Sequence, residues 1–201
     1  MQKIITQIEE LKSSNIPKVI DNRLREFENV SDLFSELCFC LMTAGFRADR
    51  SIEIQEKIGS GFCDLSEKEL AKKLKEMGHR FWPQRAQRIV AAREHKNFLN
   101  ELIKKDSKEA RKWLVENIYG MGLKEASHYL RNVGRKDVAI VDFHIVDLLN
   151  REGLIEKPKT IGAGKYLEIE GVLKDLGEKL QMNLAELDLY LWYIETGKVL
   201  K

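Results

Sequence analysis

The sequence predicts an all-α protein, and three observations carry that expectation. Apolar residues recur at three- and four-residue spacing along nearly the whole chain, no stretch alternates as a strand would, and the apolar runs are punctuated by helix caps. The first run has Ile4, Ile8 and Leu11. "LCFCLM" at 37–42 is apolar on every side and reads as a buried helix. Ser66 with Glu69, Asp106 with Glu109, and Asn183 with Glu186 each put a capping residue three before a glutamate, opening helices that carry Leu70, Leu74 and Met77, then Ala110, Trp113, Leu114 and Ile118, then Leu184, Leu187 and Leu191. Pro83 suits the first turn of a helix bearing Ile89 and Val90. Gly59, Gly78, Gly134, Gly153 and Gly197 follow periodic runs, as C-terminal caps do. Residues 156–171, with Pro158, Gly162 and Gly164, are expected to form a long loop.

At 201 residues and 43% hydrophobic content the chain can bury a substantial core. Its formal net charge is +2, so the whole molecule is no polycation and a polyanionic partner must be met by a local patch. One such patch spans Lys72 to Lys96, with eight Lys/Arg against two acids, whereas residues 167–188 hold six acids against two lysines. The basic segment is either a solvated face or a DNA face with salt-dependent phosphate contacts. Phe81 and Trp82, just before Pro83, fit either core plugs or a base-handling cleft. Three cysteines (Cys38, Cys40 and Cys63) and no N-terminal signal pattern fit a reduced, cytoplasmic setting. The longest apolar run falls far short of the roughly 20 residues that cross a bilayer.

The stretch "YGMGLKEASHYLRNVG" at 119–134 joins the stripe ending at Ile118 to a second one of Ala126, Tyr129, Leu130 and Val133, making a helix-hairpin-helix over 106–134. Gly120 and Gly122 permit a tight connector whose backbone N–H groups face an outside partner, and a phosphate there would also meet the positive end of the second helix. Lys124 falls in the first turn of that helix, off the buried stripe. The helix dipole disfavours an ammonium in this place and so favours the neutral amine that a nucleophile requires. A solvated lysine touching phosphate is the plainer alternative. Eighteen residues on, Asp142 stands as N-cap of a helix bearing Ile145, Val146, Leu148 and Leu149, and a cap alone would account for it.

Lysine and aspartate together, with the Gly-rich hairpin, resemble the helix-hairpin-helix DNA glycosylase superfamily. "GHRFWPQRAQRIV", "VDFHIVDLL" and "LDLYLWYIETGKVLK" add a resemblance to the compact second branch of the 8-oxoguanine DNA glycosylase/AP lyases, from about residue 34 to the end. That resemblance implies a two-lobed fold, with residues 1–45 plus 143–201 in one lobe, 46–142 in a helical barrel, and the site in the cleft between. It implies a bifunctional enzyme that flips out 8-oxoguanine, displaces it with Lys124 through a Schiff base, and cleaves the strand by β-elimination. Asp142 then stabilises the positive charge growing on the sugar and assists proton transfer as the amine is activated, and the C-terminal Lys201 with Trp192 recognises the base. Gly120, Gly122, Arg80, Arg85, Arg88 and His128 are the expected DNA contacts. The expected partner is double-stranded DNA holding 8-oxoguanine or an abasic site, met by a monomer. No metal or cofactor is expected: the histidines match no metal spacing, and Cys38 and Cys40 in a core helix exclude the C-terminal four-cysteine cluster of some relatives. A glycosylase for another oxidised base, or a non-catalytic DNA-binding hairpin, are the alternatives.

Overall fold

Thirteen α-helices and no strands make up the computed structural model, which describes residues 1–201. They are α1 (Gln2–Lys12), α2 (Ile16–Glu28), α3 (Leu33–Thr43), α4 (Ala48–Ile58), α5 (Gly61–Asp64), α6 (Glu67–Glu76), α7 (Trp82–Ala92), α8 (Leu99–Leu102), α9 (Ser107–Asn117), α10 (Leu123–Asn132), α11 (Phe143–Arg151), α12 (Ala163–Leu180) and α13 (Leu184–Thr196), with a 3-10 turn at Arg93–Phe98. The expected caps form. Ser66 and Glu69 complete a reciprocal capping box, Asp106 accepts from the Lys108 and Glu109 amides, and Asn183 accepts from Glu186 N–H. α12 departs from expectation, because it begins at Ala163, inside the predicted loop. Gly162 serves as its N-cap, and the helix tolerates Gly164, Gly171 and Gly177 internally because Tyr166, Ile169, Leu173 and Leu176 bury one continuous side.

Two compact units divide the chain, residues 1–29 with 134–201, and residues 30–133. The expected boundaries at 45 and 142 are therefore corrected: residues 30–45 and 134–142 change sides. α3 packs against α4, α7 and α10, since a helix apolar all round needs neighbours on every side. In the unit formed by both chain ends, α13 packs against α2, α11 and α12 around Ile20, Val146, Leu149, Ile169, Leu187 and Tyr190. No helix is long and apolar enough to cross a membrane.

Residues 138–141 of this end-formed unit run without helix yet are buried, so their backbone groups need partners. α12 supplies them. The Tyr166 hydroxyl donates to Ala139 O at 2.7 Å and accepts from Val141 N–H at 3.2 Å, while the Glu170 carboxylate accepts from Ala139 N–H at 2.9 Å. This strap delivers the chain to Asp142. Tyr166→Phe is expected to leave two buried backbone groups short of a partner and to lower stability by about 1–3 kcal/mol. Urea unfolding should show a lower midpoint at unchanged slope.

Candidate active site and DNA interface

α9 and α10 form the predicted hairpin, held together where Arg111 Nη1 donates to Ser127 Oγ at 3.2 Å. The connector is a tight turn: Met121 N–H bonds to Ile118 O at 3.0 Å, Gly120 adopts φ +77°, and the Met121 side chain is buried. Gly122, the N-cap of α10, is extended (φ −100°). No side chain caps α10, so the amides of its first turn remain donors for an outside acceptor.

Arg88, from α7, lies across the connector. Its Nη1 donates to Gly120 O at 3.3 Å and its guanidinium stands 5.7 Å from the ring centroid of Tyr119, which is 58% exposed. A Cβ on Gly120 would fall 2.2 Å from Arg88 Nε, so only glycine permits both the turn and this crossing.

The other expected DNA contacts separate by burial. Arg80 is exposed, with its guanidinium 4.5 Å from the Phe81 ring centroid. Arg85 is a correction, because it is 5% exposed and its Nη2 donates to Ala44 O, which makes it a clamp within the unit. Burial, with Arg88 nearby, pushes the Arg85 pKa down, and the Glu125 carboxylate opposes that shift. His128 is a second correction, buried edge-on against Phe39 at 5.6 Å. Both belong to helices whose inner faces reach α3, where Arg85 finds a backbone carbonyl and His128 an aromatic ring. Phe81 and Trp82 are half-buried, each with a cation near its ring: Arg80 for Phe81, and Lys75 at 5.3 Å for Trp82.

Sequence reasoning missed His79. Its Nδ1 accepts from Phe81 N–H at 3.2 Å, so the proton resides on Nε2, which donates to Met42 O at 3.0 Å. The ring also lies 4.1 Å from that of Phe46. Burial holds this imidazole below its usual pKa. A histidine between glycine and arginine carries no periodic signal, so only the fold reveals that it fixes the turn before α7.

In the unit of the chain ends, Asp142 is the N-cap of α11, its carboxylate accepting from Ile145 N–H at 3.0 Å. Phe143 beside it is 69% exposed. His144 meets Trp192 of α13 edge-on at 5.2 Å, which brings Asp142's helix and Trp192 together. The Trp192 indole N–H is buried with no protein acceptor. Beyond Gly197 the tail is not splayed out: Val199, Leu200 and Lys201 are all half-buried. No three His, Cys, Asp or Glu side chains converge as metal ligands would.

A hairpin with a lysine at an uncapped helix start, followed by a capping aspartate, is the arrangement of the helix-hairpin-helix DNA glycosylases. The family profile described as 8-oxoguanine DNA glycosylase matches residues 20–182. The 8-oxoguanine DNA glycosylase/AP lyase of Methanocaldococcus jannaschii is 50% identical over 98% of this chain and 99% of its own, and that of Thermotoga maritima is 40% identical over 99% of each. The crystal structure of the M. jannaschii glycosylase/lyase in complex with a 15mer DNA containing 8-oxoguanine superposes with a TM-score of 0.96, covering 99% of this chain and 100% of that one. The T. maritima 8-oxoguanine DNA glycosylase superposes with a TM-score of 0.95, over 100% and 99% respectively. The chain belongs to the 8-oxoguanine DNA glycosylase family.

Gly120→Ala should force Arg88 off the hairpin and place alanine in left-handed backbone, at a cost of about 1–2 kcal/mol. Titration with duplex DNA is expected to show weaker binding, with the loss in a Gly120→Ala/Arg88→Ala double variant smaller than the sum of the single losses, because the two residues share one contact.

Proposed function

We propose that this chain excises 8-oxoguanine from duplex DNA and then cleaves the strand at the abasic site, with Lys124 as the amine nucleophile. The observation that carries the reading is the position of Lys124, in the first turn of an uncapped helix directly after the glycine turn, within a chain of this family. The α10 amides and the connector grip a backbone phosphate, while Arg80 and Arg88 supply further cationic contacts. A base inside the duplex is beyond reach, so the nucleotide is flipped out at a cost of a few kcal/mol.

Lys124 Nζ then attacks the anomeric carbon of the sugar, the base leaves, and the linkage opens to a Schiff base from which β-elimination breaks the strand. Asp142 supplies negative charge against the positive charge that grows on the sugar, as carboxylates do in glycoside cleavage. Its bond to Ile145 N–H holds that carboxylate in one orientation. Trp192, with its buried unused N–H, and the C-terminal Lys201 recognise the displaced base. This amine chemistry requires neither metal nor cofactor, and the enzyme works as a cytoplasmic monomer on double-stranded DNA.

Borohydride reduction during reaction tests this directly. A covalent adduct is expected for the wild type on duplex bearing 8-oxoguanine, none on undamaged duplex, and none for Lys124→Gln, which should still bind DNA. Adduct formation by Lys124→Gln equal to wild type would sink the assignment of the nucleophile. An adduct on abasic DNA but not on 8-oxoguanine would point to another lesion. Asp142→Asn should cut single-turnover excision by at least about a hundredfold, in the range lost when a positioned catalytic group is removed. Its stability should stay within about 1 kcal/mol of wild type, because Asn caps a helix as well as Asp.

A further inference from the structure

Lys124 Nζ stands 3.9 Å from Glu125 Oε1, and the two side chains are 26% and 17% exposed. Consecutive helical residues point about 100° apart and do not normally face one another. Here the Glu125 side chain folds back over the helix start: its Oε2 lies 3.3 Å from where a Cβ would stand on Gly122. The same carboxylate acts on the buried guanidinium of Arg85, so it faces two cations of its own unit.

We infer that Glu125 is the base that takes the proton from Lys124 before attack, an assignment resting on the role given to Lys124 above. An alkylammonium has no lone pair, so the reaction needs a proton acceptor within reach of Nζ. The 3.9 Å separation exceeds the usual hydrogen-bond distance of about 2.9 Å by about 1 Å, which a rotamer adjustment of either side chain closes, and such contacts commonly tighten when substrate binds. Asp142 caps α11 through Oδ1 and is assigned above to the charge that grows on the sugar. In the step, one Nζ proton passes to Glu125 and the freed lone pair forms the bond from nitrogen to the anomeric carbon. The bond from that carbon to the base breaks, with its electron pair leaving on the base. The proton held on Glu125 then reaches the departing base through solvent, and Glu125 is ionised again for the next turnover.

An acid at the third position of a helix also suits the helix's positive end, a role that involves no proton transfer. A pH profile separates the two. Single-turnover excision and borohydride trapping would be measured on 8-oxoguanine duplex and on abasic duplex from about pH 6 to 9.5, for wild type, Glu125→Gln and Glu125→Asp, alongside thermal melting and DNA affinity. The Gln variant should be at least about tenfold slower near neutrality and climb by about tenfold per pH unit toward the wild-type rate, as hydroxide takes over from the missing base. The Asp variant, which keeps a carboxylate, should retain the wild-type profile shape, and neither substitution should move DNA affinity by more than about twofold. A Gln variant with the wild-type rate and profile would overturn the inference, as would a loss of the same size at every pH. If wild type traps and Lys124→Gln does not, either result bears on Glu125 alone. If wild type traps on neither DNA, the role of Lys124 falls and that of Glu125 with it.

Discussion

A carboxylate buried in an apolar helix constrains the unit that carries the hairpin. α3 buries ten of its eleven residues, and among them Glu36 is 4% exposed. An ionisable group in that setting is tolerated only when its oxygens are bonded. Asn132 Nδ2 donates to Glu36 Oε1 at 2.6 Å, and Gln55 Nε2 reaches Oε2 at 3.3 Å. Asn132 is in turn held by Arg131, whose Nε and Nη2 donate to its Oδ1 at 3.0 and 2.7 Å. These bonds set the rotation of α10 about its own axis. With Asn132 turned to α3, Lys124, eight residues earlier, is displaced by about 80° around the helix and escapes the buried side.

The arginines of this unit divide by the acceptor each finds. Arg85, Arg111 and Arg131 are buried, bonded respectively to a backbone carbonyl, a serine hydroxyl and an asparagine oxygen. Arg80 and Arg88 keep more of their surface in water. A guanidinium offers five donors in a fixed plane, so one buried arginine can tie together backbone from distant segments, whereas a lysine there would offer a single point of contact. A count of positive charges between residues 72 and 96 therefore overstates the charge that the fold leaves at the surface.

What was legible in the sequence was whatever is local. The cap at Asp142, the capping box at Ser66 and the connector at Gly120 follow from interactions within five residues, and helical periodicity found the hairpin. Properties set by distant partners were not legible. Arg85 and Arg88 are three apart on one helix, yet the first is drawn inward by Ala44 O, 41 positions away in sequence, and the second onto Gly120 O, 32 away. The boundary between units escaped for the same reason: an apolar run such as "LCFCLM" states that it must be covered, without stating by what. The start of α12 is hidden because glycines normally weaken a helix, and its buried side outweighs them.

Glu125 shows how a short-range contact can also be invisible. Helical spacing gives no reason to pair residues 124 and 125, and a glutamate at the third position reads as a contribution to the helix start and nothing more. The carboxylate lies beside an absence one turn earlier. Gly122 has no side chain, so the volume a Cβ would begin to fill is open to the Glu125 carboxylate, and from there the carboxylate meets the lysine ammonium. The second glycine of the hairpin is thus explained without a left-handed backbone, since φ at Gly122 is within reach of any residue. Its lack of a side chain leaves the α10 amides uncapped and gives the Glu125 carboxylate room beside Lys124. A serine or aspartate there would cap the helix better and would crowd that space.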